Sequence, residues 1–426
     1  MKIFLRHLQR TSYVWRAPRL WRRRFAFWLG AVLVGLSAAV FAALADWSQG
    51  LFITMRSHSP WLASCATVMG FMVAAEMTRR WAPGARGSGI PQAIAARRDE
   101  SPETRTALIG AKVTILKIAL TIAGLAFGAS IGREGPTVQI GACVMFLIGR
   151  HAHLRQRSGI VLAGAAAGVA GAFNTPLAGI VFAIEELAKS YDRRINSLVI
   201  SAVAIAGITS ILLVGNYHYF GAIKSTFQFE WYWTAVPLCA LMGGVCGGTF
   251  SAVVIHVAFN RSRIVRVVRS RPMIYAGCCG LAVALLGLAT DGYANGTSYH
   301  ATRLALETGV GLPWWYGFGK LAATLFSSIS GIPGGLFSPS LSVGAALGQS
   351  VSWIIPDVPL TTVFMLMMAA YFAAVVQAPL TSFVIVLEMT ADTNNALPLI
   401  LVCLVSSAIS RIICPTPLYH ALSRTF

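Results

Sequence analysis

The sequence predicts an all-α, polytopic membrane protein made of two internally repeated halves, with broken helices between its full-length spans. Three observations carry that prediction. The chain of 426 residues is 56% hydrophobic and only 12% charged, about half the ~25% charge of an ordinary soluble domain. Seven apolar runs approach the roughly 20 residues needed to cross a bilayer, near 26–45, 61–78, 107–128, 195–215, 233–257, 273–290 and 396–413. Residues of the first half also return in the second at one fixed spacing. These features exclude a disordered chain, a secreted disulfide scaffold and a typical soluble enzyme.

The first element is a basic segment over residues 1–25. It holds Lys2, Arg6, Arg10, Arg16, Arg19, Arg22, Arg23 and Arg24, with no acid. The run that follows contains Ala43-Leu44-Ala45, which looks like a signal-peptide cleavage site. The run is too long for a signal core and many spans follow it, so it is read as the first membrane helix. Two further basic clusters are Arg150, Arg155 and Arg157, and Arg261, Arg263, Arg266, Arg269 and Arg271. The net charge is +19, from 34 Lys+Arg against 15 Asp+Glu. A nucleic-acid partner would also need a basic chain. Here the clusters flank apolar runs, as the positive-inside rule expects. The N-terminus and the loops near 150–157 and 261–271 are therefore expected in the cytoplasm.

Between the long runs lie shorter, Gly-rich apolar pieces at 132–149, 159–173, 176–188, 335–353, 361–375 and 379–390. Broken helices are tolerated in a membrane only where protein or a water-filled cavity satisfies their backbone. So many of them suggest a transporter core. One membrane domain, 26–426, accounts for the rest of the chain, with repeat halves of roughly 26–215 and 230–415 and a C-terminal helix at 417–425. Eight cysteines (65, 143, 239, 246, 278, 279, 403 and 414) form no CxxC pair, so neither zinc nor a disulfide framework is expected. The eight histidines form no HExxH-type cluster, which leaves no support for a membrane-embedded enzyme. Gly319-Lys320 lacks the flanking residues of a nucleotide-binding loop.

The repeat aligns Pro176 and Glu185 with Pro379 and Glu388, since 379 − 176 = 203 and 388 − 185 = 203. The same offset carries Gly132, Pro136 and Gly141 onto Gly335, Pro339 and Gly344, and Lys117 onto Lys320. Matching Gly/Pro-interrupted segments in two halves are a pointer to a transport site at the membrane midplane.

Three turns can supply that site: Gly87-Ser88-Gly89-Ile90-Pro91, Gly132-Arg133-Glu134-Gly135-Pro136 and Gly335-Leu336-Phe337-Ser338-Pro339. Each precedes or opens an apolar helical piece, with Pro suited to the first turn. A helix N-terminus offers free N–H groups and partial positive charge. Three such ends converging would hold an anion without a full positive charge. Any one of these turns alone reads equally well as a packing point. Four acids lie in apolar stretches: Glu134, Glu185, Glu186 and Glu388. A carboxylate at mid-membrane costs at least about 2.5–3.5 kcal/mol, so each is paired, protonated or functional. Burial favours the neutral form and a helix N-terminus the charged one. Glu134, at such an end, is poised between them, and as an anion it can fill the place a substrate anion needs. Glu185 and Glu388 read as readily as structural partners.

The turns GSGIP (87–91), GREGP (132–136) and GLFSP (335–339), with FNTPLAGIVFAIEEL at 173–187 and PLYHALSRT at 417–425, resemble the signature segments of the CLC chloride channel and transporter family. They run in family order over residues 26–425. The resemblance implies a CLC-type fold with two inverted halves whose broken helices meet at a midplane anion site. It implies that the hydroxyls of Ser88 and Tyr419, and the backbone N–H groups of Leu336 and Phe337, contact chloride. It casts Glu134 as the external gating glutamate and Glu186 as the internal proton-transfer glutamate of the family's antiporters. Family channels commonly carry an apolar residue at the latter position. Ser88 suits chloride, whereas Pro there goes with nitrate preference. The departure GLFSP for the commoner GIFAP adds Ser338 as a possible polar contact. The expected protein is a chloride/proton antiporter without cofactor or nucleotide-binding CBS domains, a homodimer in lipid, in a bacterial inner membrane. A passive chloride channel on the same scaffold is the alternative.

Overall fold

Proline and glycine set where the helices begin. In the computed structural model Pro60, Pro91, Pro102, Pro176, Pro272 and Pro379 each lie in the first turn of a helix, where the missing N–H costs nothing. The structure describes residues 18–99, 101–152, 157–188, 193–215, 218–221, 223, 231–260 and 271–426. The expected basic residues at 2, 6, 10, 16, 155, 261, 263, 266 and 269 lie outside the described residues.

The described chain is helical: α1 Pro18–His58, α2 Pro60–Trp81, α3 Ile90–Arg98, α4 Pro102–Ile109, α5 Ala111–Ala126, α6 Glu134–His151, α7 Arg157–Phe173, α8 Pro176–Phe182 with a π-helical extension Ala183–Ala188, α9 Arg193–Val214, α10 Ala235–Phe259, α11 Pro272–Ala289, α12 Tyr299–Thr308, α13 Trp314–Ile329, α14 Phe337–Ser352, α15 Leu360–Val376, α16 Pro379–Thr390, α17 Ala396–Ile413 and α18 Leu418–Ser423. All seven predicted spans coincide with helices long and apolar enough to cross a membrane. The fold class is the expected all-α, polytopic one.

Two elements differ from expectation. α1 starts at Pro18 rather than 26 and runs 41 residues to His58. At 1.5 Å per residue it is about twice as long as the ~30 Å bilayer core. Arginine is a good helix former, so the basic segment continues the helix instead of ending it. α13 was not among the predicted pieces, because Gly317, Gly319, Lys320, Ser327 and Ser328 interrupt its hydropathy.

The repeat is visible in the helix starts. Adding 203 to residues 111, 134, 157, 176 and 193 gives 314, 337, 360, 379 and 396, the starts of α13, α14, α15, α16 and α17. Upstream the offset is 299 − 90 = 209, because α4 has no counterpart in the second half. The core sits around α15, whose residues from Thr362 to Val376 are all buried. A helix apolar on every side belongs at the centre of a bundle, and α10, α14 and α17 pack on it.

Candidate anion and proton site

The three turns meet, and backbone hydrogen bonds tie them. Gly132 N donates to Gly335 O at 2.8 Å and Gly335 N donates back to Gly132 O at 2.7 Å. These residues are 203 apart, so the pseudo-two-fold axis passes between them. Gly87 N donates to Ile332 O at 3.2 Å and Gly334 N to Gly87 O at 3.0 Å. Gly135 must be glycine for this approach: a Cβ there would lie 2.3 Å from Ser88 Oγ and 2.8 Å from Ser88 O. Gly89 has φ +109°, a conformation that L side chains avoid, and it turns the chain directly into α3.

Two buried lysines hold turns in place. Lys117 Nζ donates to Ala85 O at 2.8 Å and to Gly87 O. Its repeat mate Lys320 donates to Ala294 O at 3.1 Å and Gly296 O at 2.6 Å. The acceptors share an Ala-x-Gly pattern at the 209 offset. An ammonium ion spent on carbonyls leaves no bare cation to trap an anion. The symmetry ends one residue on. Ser88 Oγ is buried with no hydrogen-bond partner, whereas its counterpart Thr297 donates to Gln49 Oε1 at 2.8 Å. Of these two equivalent turns, the first alone leaves its hydroxyl available to a ligand.

Tyr419, on α18, is fully buried and its hydroxyl also lacks a hydrogen-bond partner. It lies beside the Ser88 hydroxyl and within electrostatic reach of Glu186 and Glu134. Buried hydroxyls are nearly always satisfied, so two orphaned ones side by side mark a place for a polar ligand. Phe337 opens α14 beside them, its ring 6.1 Å from that of Tyr419 and 4.8 Å from that of Phe372. Leu336 is the residue that caps this helix, and it is also buried.

Glu134 is fully buried, and its carboxylate occupies the N-terminus of α14. Ser338 donates to it twice, from its hydroxyl to Oε1 and from its backbone N–H to Oε2 at 3.4 Å. Tyr219 and Ser338 share a hydroxyl hydrogen bond at 3.1 Å. The adjacent Arg133 turns away, pairing with Asp46 at 2.6 Å and donating to Ala42 O at 2.9 Å. Glu134 is thus held by a helix end and a hydroxyl, the two kinds of group that would hold a small anion.

Glu186 is 2% exposed, and its carboxylate lies 3.8 Å from His420 Nε2. Glu185 and Glu388 do something else. Glu388 accepts from Leu177 N at 3.1 Å and Ala178 N at 2.7 Å. Glu185 accepts from Leu380 N at 3.1 Å and Thr381 N at 2.6 Å. Each acid caps the N-terminus of the other half's helix, α8 or α16. Self-complementary contacts of this kind are what a two-fold axis generates.

Two cavities reach these groups. One of about 330 Å³ leads to Ser88 past Arg86, Pro91, Ser328, Leu422 and Phe426. Another of about 500 Å³ is lined by Arg97, Arg98, Leu187, His420 and Arg424. α18 separates them, with Leu422 on one side and His420 on the other. A larger cavity of about 680 Å³ between α4, α6 and α7 is lined by none of the site residues. Sequence reasoning missed the parts played by Tyr219, which carries no motif signal, and His420. The latter stands inside PLYHALSRT, next to the tyrosine that drew the attention.

Fold and site define a polytopic membrane protein whose broken helices meet at a buried carboxylate and two buried hydroxyls without hydrogen-bond partners. The model of the voltage gated chloride channel family matches residues 69–411. The chain belongs to that family, named above as CLC. It is similar to the H(+)/Cl(-) exchange transporter ClcA of Yersinia pestis bv. Antiqua (strain Angola), 31% identical over 424 residues that cover 92% of this chain and 86% of that one. The ClcA of Cronobacter sakazakii (strain ATCC BAA-894) is 31% identical over 427 residues, 93% and 88% of the two chains. Among solved structures, a slow cyanobacterial Cl-/H+ antiporter superposes with TM-score 0.79 at 24% identity, covering 95% of this chain and 97% of that one. A CLC-type fluoride/proton antiporter gives TM-score 0.74 at 22% identity, covering 92% and 96%. At these identities the superpositions speak for the fold.

Proposed function

We propose that this protein is a secondary-active chloride/proton antiporter with one pathway per subunit. The observation that carries this reading is the position of Glu134. Its carboxylate fills the N-terminal cradle of α14, on Ser338. Chloride and a charged Glu134 compete for that cradle. A proton removes the charge, weakens the helix-end interaction and frees the place for the ion. The carboxylate and chloride therefore exclude one another from the cradle, so chloride occupancy is tied to the protonation of Glu134 and the two fluxes are coupled through one side chain.

In this reading chloride enters through the cavity that ends at Ser88. It is held there by the hydroxyls of Ser88 and Tyr419 and by the N–H groups of Leu336 and Phe337. Protons reach the site by way of Glu186. The mouths of both cavities face the cytoplasm, with Arg86, Arg97, Arg98 and Arg424 placed as the positive-inside rule demands. The N-terminus lies on the same side, in a bacterial inner membrane. The pseudo-two-fold axis lies in the membrane plane, which inverts one half relative to the other. The molecule acts as a transporter and not an enzyme, with chloride as substrate and no cofactor. It works as a homodimer, in which exposed apolar residues such as Leu177 and Leu380 face lipid or a second copy.

Reconstitution tests the reading. With an outward chloride gradient imposed on proteoliposomes, protons should move uphill. Chloride flux without proton movement would turn the assignment to a passive channel. Glu134→Gln should stop proton movement and leave a chloride flux that no longer depends on pH.

A further inference from the structure

The exchange reading leaves one step without a carrier. Glu186 is 2% exposed, so a group must pass protons between its carboxylate and water. We propose that His420 is that group, a proton relay between the 500 Å³ cavity and Glu186. This inference rests on the exchange reading.

Three observations place it there. First, His420 Nε2–H donates to the Glu186 carbonyl oxygen at 2.9 Å and stands 3.8 Å from its Oε1. Closing the second distance by about 1 Å gives an ordinary hydrogen bond. Second, the ring also lines the cavity, with its side chain 13% exposed. It therefore touches both the buried acid and the space open to water. Third, the other ionisable groups lining that cavity are Arg97, Arg98 and Arg424. A guanidinium does not release its proton in a protein. Among the lining residues, imidazole is the one that gains and loses a proton near neutral pH.

Among the described residues, the charged and titratable groups placed with the ring come from three elements: Glu186 from the extension of α8, Arg97 and Arg98 from α3, and Arg424, which follows α18. In the inward step the imidazolium gives its Nε2 proton to Glu186 Oε1. The Nε2–H bond breaks and an O–H bond forms on Oε1, so the carboxylate becomes a neutral carboxyl and the ring is left as the Nδ1–H tautomer. The ring then turns over to bring bare Nε2 to the cavity, where a hydronium ion gives it the next proton and leaves as water.

The test uses the full-length protein in proteoliposomes. His420→Gln keeps a donor for the Glu186 carbonyl but does not titrate. Proton flux should fall at least about 10-fold, and its dependence on pH at the His420 side should flatten. His420→Ala should show the same loss and recover when imidazole is added on that side. Chloride affinity, read by calorimetry, should stay at the wild-type value in both. An unchanged proton flux in His420→Gln overturns the relay, as does a loss that imidazole leaves unrepaired. If the wild-type protein itself moves no protons, the exchange reading falls and takes the relay with it. If it does pump and the His420 variants pump equally, the relay alone falls.

Discussion

In the proposed exchange mechanism, Ser88 and Tyr419 are the anion site, and they bring little chemistry to it. Neither carries charge, and each presents a hydroxyl that finds no protein partner. A hydrogen bond to a charged group contributes about 1.5–3 kcal/mol. Ser88→Ala should therefore weaken chloride binding roughly 10- to 150-fold, measured by isothermal titration, while leaving the fold intact. A full positive charge in their place would bind far more tightly and slow release. Two buried cations of the neighbouring turns are occupied elsewhere: Lys117 on the carbonyls of Ala85 and Gly87, Arg133 on Asp46 and Ala42 O. Their consistent engagement with carbonyls and a carboxylate explains how so basic a chain keeps a neutral-lined site.

At the scale of elements, the helix ends do most of the work, and they are capped by acids or left for ligand. The crossed caps of Glu185 on α16 and Glu388 on α8 bind the halves together. Replacing either acid with Ala should cost about 0.5–2 kcal/mol, seen as a lower unfolding temperature in detergent. The two losses should match, since the contacts are related by symmetry. The joint between α3 and α4 supplies a pH test. Asp99 accepts from Ser101 N at 2.9 Å and from Thr104 Oγ1 at 2.7 Å. The Ser101 backbone bond, then the Thr104 hydroxyl, hold its carboxyl below the usual range. A lowered folded-state pKa stabilises the joint above the unfolded value, near 3.9, and the effect fades as pH falls through the lowered one. Hydrogen exchange at the amides of Ser101 and Thr104 should accelerate as pH falls through that window relative to the rest of the chain. Asp99→Asn should abolish the change.

For the whole molecule, the pseudo-two-fold axis places two different ends of the same device at one point. Equivalent helices α6 and α14 begin beside it, one bringing Glu134 and the other the cradle that receives it. In the proposed mechanism one chain therefore contains a complete pathway. A homodimer should then carry two independent ones. Dimers in which one subunit bears an inactivating change in the Ser88 turn should transport at half the wild-type rate, with two photobleaching steps per labelled particle. A cooperative unit would instead lose far more than half.

The membrane class, the spans and the repeat offset were legible from residues alone, because hydropathy and Gly/Pro spacing act locally along the chain. The three turns were legible for the same reason. α13 was not, since its glycines, serines and Lys320 dilute the signal of a helix that is buried in protein as much as in lipid. The sequence marked Glu134, Glu185, Glu186 and Glu388 as four acids in apolar surroundings, with Glu134 set apart by its helix-opening turn, but no local property names their partners. Only the folded chain did so, by bringing a helix end 204 residues away to Glu134, crossed helix ends to Glu185 and Glu388, and a histidine 234 residues away to Glu186. A buried carboxylate takes its role from the partner that compensates its charge, and that partner is chosen by long-range packing.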